Sequence, residues 1–250
     1  MHHNRGWYYH FVDMRTGQRV WDSEISSIDT SLLLAGALMI GQYLGDPEVK
    51  GLAEELYRRV DFRWMQTDGG KRPFEKLLGH GWVPERGFLP FRWGSYCEHM
   101  LLYLLAIGSP TRPIPADSWY AWARPVGEYA GHRTFAIGPL FVHQFSHAFV
   151  DFRGRRDRQG YDYWESSVAA TKANRQFCID NSGKYRTYRA DVWGLSASDG
   201  PRGYRAYAAP PGRVVHDGTV TPWAAVASIV FTPDLSTSAA QHIYEPTLCA

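Results

Sequence analysis

The stretch RVWDSEISSIDTSLLLAG, residues 19–36, opens the first predicted helix and carries two carboxylates near its start, Glu24 and Asp29. Apolar residues recur at spacings of three and four, which predicts a helix over residues 23–44 with one face in a core. At about 100° per residue, five positions turn the direction by about 140°, so the two acids point different ways. We therefore expect Asp29 to be hydrogen-bonded within the core and Glu24 to face outward from the first helical turn.

Most of the remaining chain also has helical patterning. Asp46 and Pro47 form an N-cap and first-turn pair, so a second helix follows closely and is expected to lie antiparallel to the first. No repeat or linker divides the chain, which indicates one domain over residues 1–250, mainly helical with long loops. Further helices are predicted over residues 93–108, 117–129, 138–150, 160–181 and 219–230, and a short β-hairpin over residues 7–20.

Composition excludes several classes of function. The chain has 250 residues and a formal net charge of +2, and its basic run at residues 153–158 is interrupted by Gly and Asp, so no nucleic-acid partner is expected. The N-terminal residues lack the pattern of a signal peptide, and no apolar run approaches about 18 residues, so no membrane partner is expected. The cysteines, at positions 97, 178 and 249, lack the spacing of a zinc site or a disulfide framework.

Aromatic residues are unusually frequent, at 15% of the chain with ten Trp and fifteen Tyr. Many stand beside Gly, Pro and polar residues rather than inside apolar runs. Flat rings with one polar edge suit the C–H faces of sugars, so this composition favours carbohydrate binding, with a Trp-rich core as the alternative.

Glu98 is the partner that the sequence offers to Glu24. It lies near the predicted start of the helix WGSYCEHMLLYLLAIG, residues 93–108, with Leu101, Leu102 and Leu105 on the same predicted face. An apolar surrounding raises the pKa of a carboxyl, as a general acid requires. A separation of about 6.5–9.5 Å from Glu24 would indicate an inverting glycosidase, and about 5–5.5 Å a retaining one. The alternative is that Glu98 forms a salt bridge with an arginine.

Other constellations are weaker. His143, His147 and Asp151 recur at every fourth position and would suit a metal on one helix face, but Gln144 stands where an HExxH motif needs Glu, so hydrogen-bonding histidines are preferred and no metal is expected. No G-x-S-x-G or P-loop spacing is present. Asp199 and Asp217 each precede Gly in a loop, where they either form turns or bind sugar hydroxyls.

Five segments together carry a family resemblance. They are residues 6–36, residues 79–122 with the motif SYCEHM, residues 139–154 with PLFVHQFSHAFVDFRG, residues 193–204 with WGLSASDGPRGY, and residues 217–234 with DGTVTPWAAVASIVFTPD. In this order they closely resemble the glucoamylase-like domain family. That family includes bacterial endo-β-1,2-glucanases of glycoside hydrolase family 144 and the transglycosylase domain of cyclic β-1,2-glucan synthases.

The resemblance implies an all-α fold, an (α/α)6 toroid, and an inverting glycoside hydrolase of β-1,2-glucan that uses no cofactor. By this likeness Glu98 of SYCEHM is the general acid, and Glu24 of WDSEIS is the second essential carboxylate. The residues expected in the substrate cleft are Asp29, Trp93, Tyr96, His143, Trp193, Asp199 and Asp217.

The toroid of this family has twelve helices, whereas about seven are predicted here, and family members extend beyond both ends of the matching region. We therefore expect a toroid truncated at both ends, with apolar helix faces partly uncovered and flanking segments supplied by a larger protein. Two alternatives to hydrolysis stay open within the family resemblance: a transglycosylase domain and an inactive carbohydrate-binding remnant. A metallohydrolase is the last alternative.

Overall fold

The computed structural model describes residues 3–244. These residues form a mainly helical fold with four small antiparallel sheets, three of two strands and one of three. The expected helical character is therefore confirmed, but the described residues are not all-α, because hairpins occupy several of the loops. The chain divides into two compact units, residues 1–123 and 124–250.

The first unit contains four helices and five short strands. The helices are α1 (Ser27–Leu44), α2 (Pro47–Arg59), α3 (Phe62–Thr67) and α4 (Met100–Ile107). The strands are β1 (His3–Asn4), β2 (Trp7–Tyr8), β3 (Ile25–Ser26), β4 (Gly81–Val83) and β5 (Gly87–Phe88). A single 3-10 turn, Ala116–Tyr120, is also described in this unit.

The second unit alternates hairpins with helices. Its strands are β6 (Val126–Tyr129), β7 (His132–Phe135), β8 (Ala197–Gly200) and β9 (Gly203–Ala206). Its helices are α5 (Phe141–Gln144), α6 (Tyr163–Asp180), α7 (Pro222–Ala227) and α8 (Pro233–Tyr244). Two 3-10 turns, Phe145–Ala148 and Ser228–Val230, continue α5 and α7.

Helix α1 begins later than the sequence predicts. Ser26 is its N-cap in an extended conformation, and its hydroxyl accepts a hydrogen bond from the backbone N–H of Asp29. Ile25 and Ser26 instead pair with Trp82 and Gly81 of β4. Strand pairing therefore takes the residues before Ser27 out of the helix, and the angular argument that separated Glu24 from Asp29 does not apply.

The junction between α1 and α2 follows the predicted signals. Gly45 ends α1 with a φ of 65°, and the carboxylate of Asp46 accepts hydrogen bonds from the backbone N–H groups of Glu48 and Val49. The two helices pack against each other, as predicted.

Several large apolar side chains of α1 face solvent. Leu33, Met39, Ile40 and Leu44 are each at least 40% exposed. An apolar face of α1 is therefore exposed among the described residues, and the truncation of the toroid stays a prediction. Within the described residues, α1 is also the one helix long and apolar enough to cross a membrane, a test that a core helix of a soluble protein passes too.

The core of the first unit is rich in aromatic rings. The fully buried indole of Trp7 packs edge-on against Phe62 at 5.1 Å and donates a hydrogen bond to the carbonyl of Asp61 at 3.0 Å. Val60, Met65 and Leu102 are also fully buried. Part of the high aromatic content is therefore core, which was the alternative to carbohydrate binding.

Three predicted helices are shorter than expected. Helix α4 starts at Met100, so Glu98 lies in the turn before it. The segment 117–129 holds a 3-10 turn and strand β6, and the segment 138–150 is a short α-helix followed by a 3-10 turn. The prediction over residues 160–181 is confirmed by α6, whereas the one over residues 219–230 holds in part, since α7 spans Pro222–Ala227 and is followed by a 3-10 turn. The predicted hairpin at residues 7–20 is reduced to a bridge between Val12 and Arg19.

The second unit is built on α6. The β6–β7 hairpin packs on this helix, with the hydroxyl of Thr134 donating to the carbonyl of Ser166 at 2.7 Å. The buried side chain of Asn174 binds both backbone groups of Leu195, accepting from its N–H at 2.9 Å and donating to its carbonyl at 3.2 Å. Since both polar groups of Leu195 are satisfied, the long loop after α6 can enter the core.

Candidate functional site

Glu24 is positioned by the three-stranded sheet of the first unit. Its carbonyl accepts a hydrogen bond from the backbone N–H of His10 at 2.8 Å, and the next residue, Ile25, pairs with β4. Gly81, which pairs with Ser26, leaves no space for a side chain: a Cβ there would lie 2.2 Å from the carbonyl oxygen of Ile25 and 3.0 Å from Cγ of Glu24. The glycine thus lets the sheet hold Glu24 close against β4.

His10 joins the two acids that the sequence argument had separated. Its Nδ1 lies 3.0 Å from Oε1 of Glu24, and its Nε2 lies 3.5 Å from Oδ2 of Asp29. Since a carboxylate offers only acceptors, the imidazole donates to Glu24. Sequence reasoning missed His10, because it lies 14 residues from Glu24 with no motif between them.

Asp29 does not lie in the core, as was expected. Its side chain is 41% exposed, and it accepts a short hydrogen bond from the hydroxyl of Ser26, the N-cap of α1. The expected core position of Asp29 assumed a helix that starts at residue 23, four residues before Ser27. In the structure it occupies the first turn of α1, where the helix dipole favours a negative charge.

Glu98 has the electrostatic character expected of a general acid. Burial is the largest cause of its raised pKa, and the negative charge of Asp29 raises it further, while a hydrogen bond from the Cys97 thiol opposes the shift. This direction is opposite to the one an arginine partner would produce, so the salt-bridge alternative is not supported. Glu98 lies in the turn before α4 rather than within the predicted helix.

Burial and the neighbouring charge also raise the pKa of the Cys97 thiol. Cys97 therefore stays protonated at neutral pH and can donate to Oε2 of Glu98. Both thiols of the described residues, Cys97 and Cys178, are free, and Cys249 lies outside the described residues.

Trp93 and His80 form a stacked pair beside Glu24. Their rings lie 3.9 Å apart and are nearly parallel, and the indole N–H of Trp93 donates to the hydroxyl of Ser27 at 2.9 Å. Burial lowers the pKa of His80, and the charge of Glu24 opposes that shift. Trp93 is only 7% exposed, so it supports His80 from the core. His80, which the sequence analysis did not select, is the accessible member of the pair.

Tyr96 is 2% exposed and packs near Trp122, with its backbone N–H bound to the carbonyl of Ala123 at 2.8 Å. Trp193 lies in the core of the second unit and is 1% exposed. The substrate-binding roles of these rings stay predictions, and their burial favours a packing role.

The candidate residues of the second unit are dispersed. His143 is fully buried, its Nε2 lies 3.2 Å from the carbonyl of Ile137, and burial lowers its pKa to about 4. Asp217 accepts from Thr219 and from the hydroxyl of Tyr207, which is the turn-forming role given as its alternative. Asp199 is exposed in the β8–β9 hairpin and is the candidate here that a sugar hydroxyl can reach.

The metal alternative loses its geometric basis. Helix α5 ends before His147, so the three predicted ligands do not share a continuous α-helical face. His147 binds the hydroxyl of Ser167 at 3.0 Å, and Asp151 binds Arg153 through both carboxylate oxygens. Over residues 3–244, no group of three or more His, Cys, Asp and Glu side chains is arranged to hold a metal ion.

Comparison with known proteins assigns the chain to a family. A family model described as a putative glucoamylase matches residues 90–249, well over half of the sequence. The chain therefore belongs to this glucoamylase-like family, and the resemblance seen in the sequence is confirmed.

Three proteins similar to this chain are described as hydrolases of β-1,2-glucans or their oligosaccharides. The chain is 28% identical to an exo β-1,2-glucooligosaccharide sophorohydrolase of Parabacteroides distasonis, over 94% of this chain and 37% of that protein. It is 30% identical to an endo-β-1,2-glucanase of Chitinophaga pinensis, solved with sophorotriose and glucose, with a TM-score of 0.85 over 97% of this chain and 62% of the other. A β-1,2-glucanase structure from Parabacteroides distasonis is 26% identical, with a TM-score of 0.87 over 96% of this chain and 39% of the other. The chain thus spans between about two fifths and three fifths of the length of these relatives.

Proposed function

We propose that this chain is a glycoside hydrolase domain that cleaves β-1,2-linked glucan with inversion at the anomeric carbon. The observation that carries the proposal is the raised pKa of Glu98, which is caused by burial and by the charge of Asp29. Asp29 is in turn linked to Glu24, because the imidazole of His10 contacts both carboxyl groups. A carboxyl whose pKa is raised by burial, together with a second carboxyl, is the arrangement of acid and base in glycosidases. The names of the relatives supply the substrate class.

Glu98 acts as the general acid in this proposal. Its carboxyl proton is transferred to the glycosidic oxygen as the bond between that oxygen and the anomeric carbon breaks. The leaving sugar departs as a neutral alcohol, and Glu98 becomes a carboxylate. Its raised pKa keeps the proton available at a higher pH than an ordinary glutamic acid would allow.

Glu24 acts as the general base. A water oxygen bonds to the anomeric carbon from the opposite face, and the proton lost by that water passes to Glu24. The hydrogen bond from His10 fixes the orientation of the carboxylate. An inverting reaction needs the two carboxyl groups about 6.5–9.5 Å apart, so that water fits between base and sugar. The reaction needs neither a metal nor an organic cofactor.

The finer fold assignment is part of the proposal. We infer that the chain is one domain, part of an (α/α)6 toroid whose remaining helices belong to flanking segments. Two observations support this: relatives of closely similar structure are considerably longer, and apolar side chains of α1, including Ile40, are exposed. Covering those side chains would remove apolar surface from water.

The direct test is hydrolysis of linear β-1,2-glucan. We expect Glu98→Gln to lower reducing-sugar release by at least 100-fold, since general acid catalysis contributes about 10²–10⁴ in rate. Glu48→Gln is the matched control, because Glu48 is exposed on α2 and outside the carboxylate group. Undiminished hydrolysis by Glu98→Gln would contradict the acid assignment.

The products test the rest of the proposal. Proton NMR during the first turnovers should show release of the α-anomer, whereas release of the β-anomer would contradict inversion. Longer or cyclic glucans would instead favour a transglycosylase. Glucan binding without turnover by the unmodified protein would favour an inactive binding remnant.

A further inference from the structure

An exposed tryptophan, Trp21, precedes Glu24 by three residues in the sequence. The Trp21 side chain is 82% exposed, the most exposed tryptophan of the described residues. Its φ is 56°, and that of Asp22 is 51°, so two consecutive residues with side chains occupy the left-handed region. This conformation is costly for a bulky residue, and such strain concentrates at functional sites.

The loop that carries Trp21 is held in place at both ends. Arg19 donates from Nε to the carbonyl of Ser23 at 2.6 Å and binds both carboxylate oxygens of Glu85 at 2.5 and 3.1 Å. The hydroxyl of Ser23 donates to the carbonyl of Phe11 at 3.1 Å. Because these contacts fix the backbone, the indole is presented to solvent in one place and little order must be gained when a ligand binds.

A row of rings connects Trp21 to the carboxylates. The edge of Trp21 meets Phe11 with ring centroids 5.4 Å apart, and Phe11 stacks on His10 at 4.1 Å with nearly parallel planes. His10 in turn binds Glu24. Phe11 is also 44% exposed, so the row presents aromatic surface to solvent from the carboxylates outward.

We propose that Trp21 and Phe11 form a stacking subsite for a glucose unit of the glucan chain, separate from the unit whose bond is cleaved. The proposal rests on the proposed function for its ligand class, a linear β-1,2-linked glucooligosaccharide. A flat ring accepts the C–H face of a sugar while carboxylates and imidazole nearby bind hydroxyls. Since Phe11 and His10 lie between Trp21 and the acids, the subsite is reached only by chains longer than the minimum that the carboxylates need.

The test measures binding, so that it does not depend on turnover. The Glu98→Gln variant serves as the reference protein. Isothermal titration calorimetry measures its affinity for β-1,2-glucooligosaccharides of increasing length. Trp21→Ala in this reference protein should weaken binding of the long chains by roughly 2- to 10-fold, the range of an aromatic stacking contact. Binding of the shortest chains should not change, and Trp21→Phe should retain most of the affinity.

Two further variants separate loss of the Trp21 ring from other effects of substitution. Tyr43→Ala removes an aromatic ring that is 83% exposed at the far end of α1, and should leave binding of all chains unchanged. Trp21→Gly removes the ring and relieves the backbone strain, so it should weaken binding of long chains while the Tm rises.

Equal affinity of Trp21→Ala and the reference protein for every chain length would overturn the subsite. Equal weakening for all lengths, including the shortest, would overturn it too, because Trp21 would then belong to the site at the carboxylates. Failure of the proposed function gives a different result: the unmodified protein does not hydrolyse glucan, although long chains still bind through Trp21.

Discussion

The negative charge of Asp29 raises the pKa of Glu98, although 69 positions separate the two residues in the sequence. Asp29 stands in the first turn of α1 and Glu98 in the turn before α4, and these two helices pack against each other. The acid that the proposed mechanism needs is therefore produced by burial together with a second carboxylate.

Removing the charge of Asp29 should change the pH dependence of hydrolysis. In Asp29→Asn the pKa of Glu98 should fall, because one cause of its elevation is gone. A general acid works below its own pKa, so activity should decline at a lower pH than in the unmodified protein. The measurement is the alkaline limb of the kcat/KM profile, with Glu48→Gln as control. An unmoved limb would show that Asp29 does not act on the titrating acid.

Cys97→Ala should move the same limb in the opposite direction. The thiol donates a hydrogen bond to Glu98 and so lowers its pKa, and without that donor the pKa rises. The activity should then persist to higher pH. Cys178→Ala is the matched control, since this free thiol lies in the other unit. If the alkaline limb moved in the same direction in Asp29→Asn and Cys97→Ala, the opposite effects assigned to Asp29 and Cys97 on the pKa of Glu98 would be contradicted.

Gly81→Ala should disrupt the strand that holds Glu24. The added Cβ would lie 2.2 Å from the carbonyl oxygen of Ile25, and backbone on both strands must move. We expect the free energy of unfolding to fall by about 2–4 kcal/mol, with a loss of activity.

Gly36→Ala is the control for this substitution. No atom lies within 4 Å of a Cβ at Gly36 in α1, so alanine should stabilise the helix by about 0.5–1 kcal/mol. Urea denaturation of both variants checks the pair, and similar stability of the two would contradict the steric argument.

Trp21→Gly should stabilise the protein. A residue with a side chain in the left-handed region, as Trp21 is, costs about 1–2 kcal/mol of folding free energy. Glycine avoids this cost, but it also raises the entropy of the unfolded chain, which offsets part of the stabilisation. A net gain of about 0.5–1 kcal/mol is expected in urea denaturation. Trp21→Ala keeps the strain and should not gain this stability. A less stable glycine variant would show that the indole contributes more by packing than its backbone costs.

The sequence alone predicted the mainly helical character, several helices and the family. The junction of α1 and α2 was predictable because its signals are local: a glycine that adopts positive φ, followed by an aspartate that caps the next helix. Glu24 and Glu98 are identifiable from the sequence as candidates, Glu98 because an apolar surrounding is expected to raise its pKa, and the pKa of Glu98 is raised in the structure.

Only the tertiary structure decided how the acids are arranged. Helical periodicity assigned Asp29 to the core and Glu24 to the helix, but because β3 pairs with β4 the helix begins only at Ser27, and the Asp29 side chain is 41% exposed. His10 and Phe11 were not selected from the sequence; folding brings His10 to Glu24, and Phe11 stacks on His10. The physical reason is the separation in sequence of the interacting residues. Caps and turns depend on neighbouring residues, whereas strand pairing, desolvation and charge coupling depend on residues distant in the sequence.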